Sequence, residues 1–340
     1  MLWQSVAPQP QFVAVLNRDK TMKFKTALLL LALASCAGTG LAQEYPSQPI
    51  RLVVPFPPGA STDVVSRLVA DELRQILGQT VTVENRAGGT GTIGVGLLSR
   101  AQADGYTLGL GNEATHVTVP LLKKKPPYDS VKDFTPITIA IRTTMAIAVN
   151  PSVLPVKNLA ELIQAAKAKS GGISFGTPGQ GSPQQLIGEL LKQRTGASFV
   201  HVPYTGSAPA TNDLLAGHIP MVITTLPALM PHLGKITIIA IGDAERLSYL
   251  PQVQTISETL PDFNVTGWSG YFGPAGLPAP ISAKLNAAFV AALKKPAVIE
   301  AIRKQSLEPA GTPAEDLRLL VRSGIERWTP VIDKAQLPKD

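Results

Sequence analysis

Apolar and polar positions along the chain fall into two alternating rhythms. Short runs rich in Val, Ile, Leu and Phe occupy Ile50 to Phe56, Val81 to Glu84, Thr107 to Leu110, Ile137 to Ile141 and Ala146 to Val149. They recur at Ile173 to Gly176, Phe199 to Val202, Met221 to Thr224, Ile236 to Ile241 and Gly270 to Phe272. Runs of this length and composition between turn-forming residues predict strands. Between them the spacing becomes helical: over Asp63 to Leu77, Val64, Val65, Leu68, Val69, Leu73, Ile76 and Leu77 trace one apolar face. Leu159 to Ala168, Gln185 to Arg194 and Ala208 to Leu215 read similarly, and Ile281 to Lys334 reads as helices without a strand. This alternation after Pro46 predicts an α/β fold with mostly parallel sheets.

Two extended segments interrupt the alternation, one from Thr143 through Pro151 to Pro155 and one from Asn264 to Pro274. Taken as crossings, they give a first lobe from residues 46–145 and 268–340 and a second from 146–267, the plan of a hinged two-lobe binding protein. Residues 1–42 are an N-terminal extension plus a signal peptide. From Met22 the stretch MKFKTALLLLALASCAGTGLAQ has two lysines, an apolar run too short to span a bilayer, and small residues before Gln43. Export to the periplasm is therefore expected, with translation starting at Met22 rather than Met1. Cleavage after Gly40-Leu41-Ala42 and lipidation of Cys36 in Leu33-Ala34-Ser35-Cys36 are both open.

The 340 residues, 44% hydrophobic and 16% charged, suffice for a sizeable core. The formal charge of +7 is partly carried by Arg18, Lys20, Lys23 and Lys25 before the folded region, and the remaining basic residues are scattered. That disfavours a nucleic-acid partner. The one cysteine precedes the fold, and His116, His201, His218 and His232 are not spaced as metal ligands. No G-x-S-x-G or P-loop occurs. Gly89-Thr90-Gly91-Thr92-Ile93-Gly94 matches G-x-G-x-x-G, but four residues separate it from its strand and no acidic residue follows at the required distance. It is read as a loop leading into a helix, and no cofactor is expected.

Two strand-to-helix loops carry the candidate chemistry. The first, Phe56-Pro57-Pro58-Gly59-Ala60-Ser61-Thr62-Asp63, offers the amides of Gly59 to Thr62 at a helix N-terminus, with Ser61 or Thr62 as N-cap. Asp63 would repel an anion, so it must point away or meet a cationic part of the ligand. In the second, Thr177-Pro178-Gly179-Gln180-Gly181-Ser182, the Ser182-x-x-Gln185 capping box leaves the amides of Gly179, Gln180 and Gly181 and the Thr177 hydroxyl as contacts. Tyr204, in the next turn, is either a stacking surface or a core residue. His116 is placed at the flank of the cleft. Neither loop contains Lys or Arg, so backbone amides rather than side-chain charge are expected to hold the ligand.

In order, YPSQPIRLVVPFPPGASTDVVSR, VTVENRAGGTGTIG, ADGYTL, YDSVKDFTPI, VKNLAELIQAAKAK, ISFGTPGQGSPQQL, HVPYTGSAPATNDLLAGHI and GWSGYFGPAGLPAPI resemble the Bug (TctC-like) family of periplasmic solute-binding proteins of tripartite tricarboxylate transport systems. The resemblance implies a two-lobed, type II-like Venus flytrap with two crossings between lobes. It also implies a small carboxylate or amino acid bound between the two loops. Partners would be the membrane permease subunits of such a transporter, or a sensor protein, and the receptor itself a monomer; an enzyme using the same cleft is the alternative. Ala60 stands where the family usually has Gly, Ala87 where Pro is common, and Thr205 where Lys is common; Ala60 would narrow the first loop if that position needs a positive φ.

Overall fold

The computed structural model describes residues 44–339; the expected signal peptide, Cys36 and the two candidate start residues lie outside them. Eleven strands occur among the described residues, in two sheets. They are β1 (Ile50–Val54), β2 (Val81–Asn85), β3 (Thr107–Asn112), β4 (Phe134–Thr143), β5 (Met145–Val149), β6 (Ile173–Thr177), β7 (Phe199–Pro203), β8 (Met221–Thr225), β9 (Thr237–Ile241), β10 (Gly267–Pro274) and β11 (Glu308–Pro309). The first sheet has the order β11-β4-β10-β3-β1-β2 and the second β7-β6-β8-β5-β9, one in each lobe.

The helices that matter for the site are α1 (Ser61–Leu77), α2 (Thr92–Leu98), α3 (Leu159–Ala168), α4 (Pro183–Thr195), α5 (Ser207–Ala216), α6 (Ala279–Leu293), α7 (Pro296–Arg303) and α8 (Ala314–Ala335). In the first sheet β1 pairs in parallel with β2 on one side and β3 on the other. In the second, β6 does the same between β7 and β8. Each is therefore a switch point where successive connections leave in opposite directions, and the crevice beyond its carboxyl end is where an open α/β sheet takes a ligand. The two loops singled out in the sequence follow β1 and β6. Antiparallel strands, β10 and the edge strand β11 in the first sheet and β5 in the second, make both sheets mixed.

Strand alternation explains the core. Met145, Ile147 and Val149 of β5, with Met221 and Ile223 of β8, face a large cluster that also holds Phe175, Trp268, Phe272 and Trp328. Ala146, Ala148 and Val222 face the opposite side with Leu214, Leu226 and Ile241. Both faces of the second sheet are thus buried, as its nearly unbroken apolar strands require. The chain leaves β4 for β5 through a single buried residue, Thr144, and returns between Ile241 and Gly267.

Several elements differ from the sequence reading. β1 stops at Val54, two residues before Phe56, and α1 starts at Ser61 with Ala60 rather than Ser61 or Thr62 at the N-cap. Ala60 has φ −63°, so alanine fits without strain, and the positive φ of +82° falls on Gly59. β4 and β10 run longer than their apolar centres because they pair with each other from Phe134–Pro274 to Thr143–Gly267. The helical C-terminal region also contains β11, which pairs with β4 at Arg142 and Ile141.

Candidate functional site

A cleft of about 360 Å³ opens between the two sheets. Ser61 and Thr62 of α1 line one side, and Gly179, Gln180, Ser182 and Gln184 the other; Glu113 and Trp268 form part of the wall between them. Among the described residues no Lys, Arg or His lines it. A larger recess of about 890 Å³ lies at Arg142, Asp243, Arg246, Arg303 and Glu308, but neither switch-point loop reaches it and Arg303 is paired with Glu308 at 3.4 Å.

In the first loop Asp63 is only 2% exposed, and it points back into the loop. Its Oδ2 accepts the Gly59 amide at 2.9 Å and Arg67 Nε at 3.1 Å, and its Oδ1 accepts Asn85 Nδ2 at 2.8 Å. Burial alone would raise its pKa, yet the bonds from Arg67, Gly59 and Asn85 together outweigh burial and hold it below the ordinary carboxylate value. The Ala60 amide donates to Pro57 O. Since the N-cap is an alanine with no side-chain acceptor, the Ser61 and Thr62 amides have no protein partner among the described residues.

The second loop is a variation on the same plan. Ser182 caps α4 by accepting the Gln185 amide, but Gln185 Oε1 reaches past Ser182 to the Gly181 amide at 2.7 Å. The Gly181 carbonyl accepts the Thr118 hydroxyl from the first lobe at 2.8 Å. Thr177 Oγ1 sits 2.6 Å from His201 Nε2 and accepts the Gly179 amide at 3.3 Å. Burial, with a smaller contribution from Lys192, depresses the His201 pKa to about 4, so this imidazole is neutral. Among the described residues, the amides left without a protein partner are those of Gln180 and Gln184.

Of the thirteen residues expected in the site, the structure brings Ser61, Thr62, Gly179, Gln180 and Ser182 to the cleft wall. Phe56 stops short of it, its carbonyl accepting Asn85 Nδ2. Pro58 and Gly59 are exposed outside it, and Ala60 caps the helix from behind. The groups of Asp63, Thr177 and Gly181 are engaged as described. Tyr204 takes the core alternative, not that of a stacking surface in the cleft: its hydroxyl donates to Asp213 at 2.7 Å and its ring packs on the second lobe's core, burial and Asp213 pushing its pKa up to about 12. His116 does not flank the cleft either. It is fully buried, stacked on Phe272 at 4.1 Å, and its pKa falls to about 3 through burial.

The sequence reading missed Thr90, Asn112, Glu113, Ala114 and Gln184 as lining residues. Asn112 and Thr115 exchange bonds, the Asn112 amide to Thr115 Oγ1 and the Thr115 amide to Asn112 Oδ1, folding the end of β3 into a π-helical turn over Ala114–Thr118. Glu113 is 8% exposed and its Oε1 accepts Trp328 Nε1 at 2.8 Å. Burial raises its pKa, only partly offset by the indole bond and the Arg327 charge. The signal available in the sequence was position: Asn112-Glu113 ends the strand beside a switch point.

The arrangement, two helix N-termini facing each other across a cleft without cations, suits capture of an anion through backbone dipoles. The profile of the tripartite tricarboxylate transporter family receptor matches residues 65–337. Protein BugT of Bordetella pertussis is 35% identical over 308 residues, covering 89% of this chain and 94% of BugT. The structure of Rpa4515 of R. palustris with adipate superposes with a TM-score of 0.75 at 34% identity, covering 87% of this chain and 99% of that one. MatC of Rhodopseudomonas palustris with bound malate superposes at 0.70 and 31% identity, covering 85% and 100%. The profile covers most of the chain and each of the three relatives covers 85% of it or more, and the chain belongs to the TctC (Bug) family of periplasmic solute-binding proteins.

Proposed function

We propose that this chain is a periplasmic receptor that captures a small dicarboxylate between its lobes and delivers it to the membrane permease of a tripartite tricarboxylate transporter. The observation that carries the reading is the set of four unpartnered amides, Ser61 and Thr62 facing Gln180 and Gln184, at the two switch points of one cleft. Each carboxylate of an α,ω-diacid then meets one helix N-terminus, where charge-assisted bonds contribute about 1.5–3 kcal/mol apiece. Adipate and malate, the acids in the two related structures, have this form. Isothermal titration of the purified protein with adipate, malate, succinate and glutamate, together with mass spectrometry of small molecules released from it, tests the reading. Submillimolar binding of at least one diacid, recovered unchanged, is expected; no binding, or conversion of the acid, would overturn it.

A further inference from the structure

The cleft poses an electrostatic puzzle. Among the described residues Glu113 is the one titratable side chain in its lining, and no cationic side chain shares that lining. An ionised Glu113 beside an anionic ligand would cost both desolvation and like-charge repulsion. Its two oxygens are not equivalent: Oε1 is fixed by the Trp328 indole N–H, which can only donate, whereas Oε2 has no protein partner among the described residues. The charged and titratable groups around it relieve the problem only in part. Arg327, on α8, is exposed and turns its guanidinium to the Asn264 carbonyl at 2.6 Å. His116, one turn along the same segment, is buried and neutral, with Nδ1 at 3.0 Å from Thr115 Oγ1. Asp63 of α1 is committed to Arg67 and Asn85, and the lining residues of the β6–α4 loop and β10 carry no ionisable side chain.

We propose that Glu113 is a specificity-determining residue that presents a neutral carboxyl to the cleft, its Oε1 accepting from Trp328 and its Oε2–H donating to a carboxylate of the bound acid. The donor makes up for the missing cation and fixes one end of the ligand from the wall between the two helix N-termini. Burial of the carboxyl raises its pKa and so favours the protonated form, because the neutral form is the cheaper one to desolvate. The complex is thereby selective against ligands that place an ammonium at this wall, since a neutral acid offers such a group no counter-charge. This inference rests on the cleft holding an acid, as proposed above.

Difference infrared spectroscopy and titration calorimetry with adipate, on wild type and Glu113→Gln, test it. Glutamine reproduces the pattern, its carbonyl accepting from Trp328 and its amide donating to the ligand. The expected results are a protonated-carboxyl C=O band in the wild-type complex that Glu113→Gln lacks, and adipate affinity in Glu113→Gln within about threefold of wild type. Glu113→Leu, of similar size without a donor, should bind about tenfold or more weakly, the loss of roughly one hydrogen bond to a charged group. As pH rises through the Glu113 titration, wild-type affinity should fall by up to about tenfold per unit while that of Glu113→Gln stays flat. No carboxyl band, or a Glu113→Gln protein that folds yet loses adipate, overturns the proposal while leaving the receptor reading intact. A wild type that binds none of the four acids overturns both.

Discussion

Asp63 shows how a carboxylate can support the proposed anion site without meeting the anion. By accepting Gly59, Arg67 and Asn85 it holds the loop that ends in the Ser61 and Thr62 amides, and its own charge is spent within the loop. In Asp63→Asn one of these acceptors becomes a donor facing donors. Because Arg67 is half exposed and can turn to water, the expected loss is about 2 kcal/mol rather than the sum of the bonds. Urea unfolding near neutral pH measures it. The folded pKa of Asp63 lies below the ordinary value of 3.8, so its stabilisation is present above that value and is lost as pH falls further; the gap between wild type and Asp63→Asn should close there. His116 acts in a different window. Its pKa is depressed from 6.5 to about 3, so the neutral ring's contribution is whole above about pH 6.5 and declines as acid is added, by at most about 1.4 kcal/mol per pH unit. His116→Phe keeps the stack on Phe272 and should flatten the acid limb of stability between about pH 6 and about pH 4. The slope, not the midpoint at one pH, is the readout. Glu113 has the opposite sign: its pKa is raised, so its contribution is whole below the ordinary glutamate value and is lost as pH rises.

At the level of elements, the strands and the two loops could be read from the sequence because local signals suffice for them: apolar runs for strands, small residues before a helical stripe for an open N-terminus. Which amides stay open could not. That depends on whether a side chain four residues on turns back, as Asp63 does to Gly59 and Gln185 to Gly181, and a capping-box pattern is silent on the choice. β11 was invisible because two residues carry no period. The G-x-G-x-x-G segment turns out to answer to packing: a Cβ on Gly94 would stand 2.8 Å from the Arg86 carbonyl and 2.9 Å from Pro55, so α2 lies almost against the backbone of the β1 and β2 ends. A related constraint acts at Gly181, where φ is +75° and a Cβ would come 2.9 Å from Leu122 Cδ1. Gly181→Val should therefore weaken adipate binding by tenfold or more, about 1–3 kcal/mol of backbone strain falling on a loop that carries the Gln180 amide. Arg86, paired with Glu84 and absent from the cleft wall, should tolerate Arg86→Ala with affinity unchanged. Calorimetry on both variants decides; a charge-based site would give the reverse order.

For the whole molecule the decisive contacts join residues far apart in the chain, which is why periodicity gave no hint of them. α8 belongs to the first lobe's end of the chain but packs against β4 and against α4 of the second lobe, where Gln193 Nε2 donates to the Val331 carbonyl at 2.9 Å. The same helix supplies Trp328 to Glu113, 215 residues away. Behind the cleft wall the lobes meet through Thr118, fully buried, whose hydroxyl donates to the Gly181 carbonyl of the loop that carries Gly179 and Gln180. A two-lobe receptor with two crossings opens by hinge motion about those crossings, and a bond that ties the loop behind the cleft wall to the other lobe is expected only when it is closed. Thr118→Val keeps the volume and β-branching but removes the donor, leaving the Gly181 carbonyl buried and unsatisfied in the closed form while water satisfies it in the open one. The closed form should lose about 1–3 kcal/mol relative to the open form. Because the ligand is enclosed only by closure, that bias appears as weaker affinity, about fivefold to a hundredfold, and mostly as faster release. Trp268, 5% exposed in the cleft wall, reports the motion by its fluorescence. Stopped-flow release of adipate should be faster in Thr118→Val at a nearly unchanged association rate. Equal release rates in the two proteins would mean that this bond persists through opening, and that the lobes part elsewhere than at the β6–α4 loop.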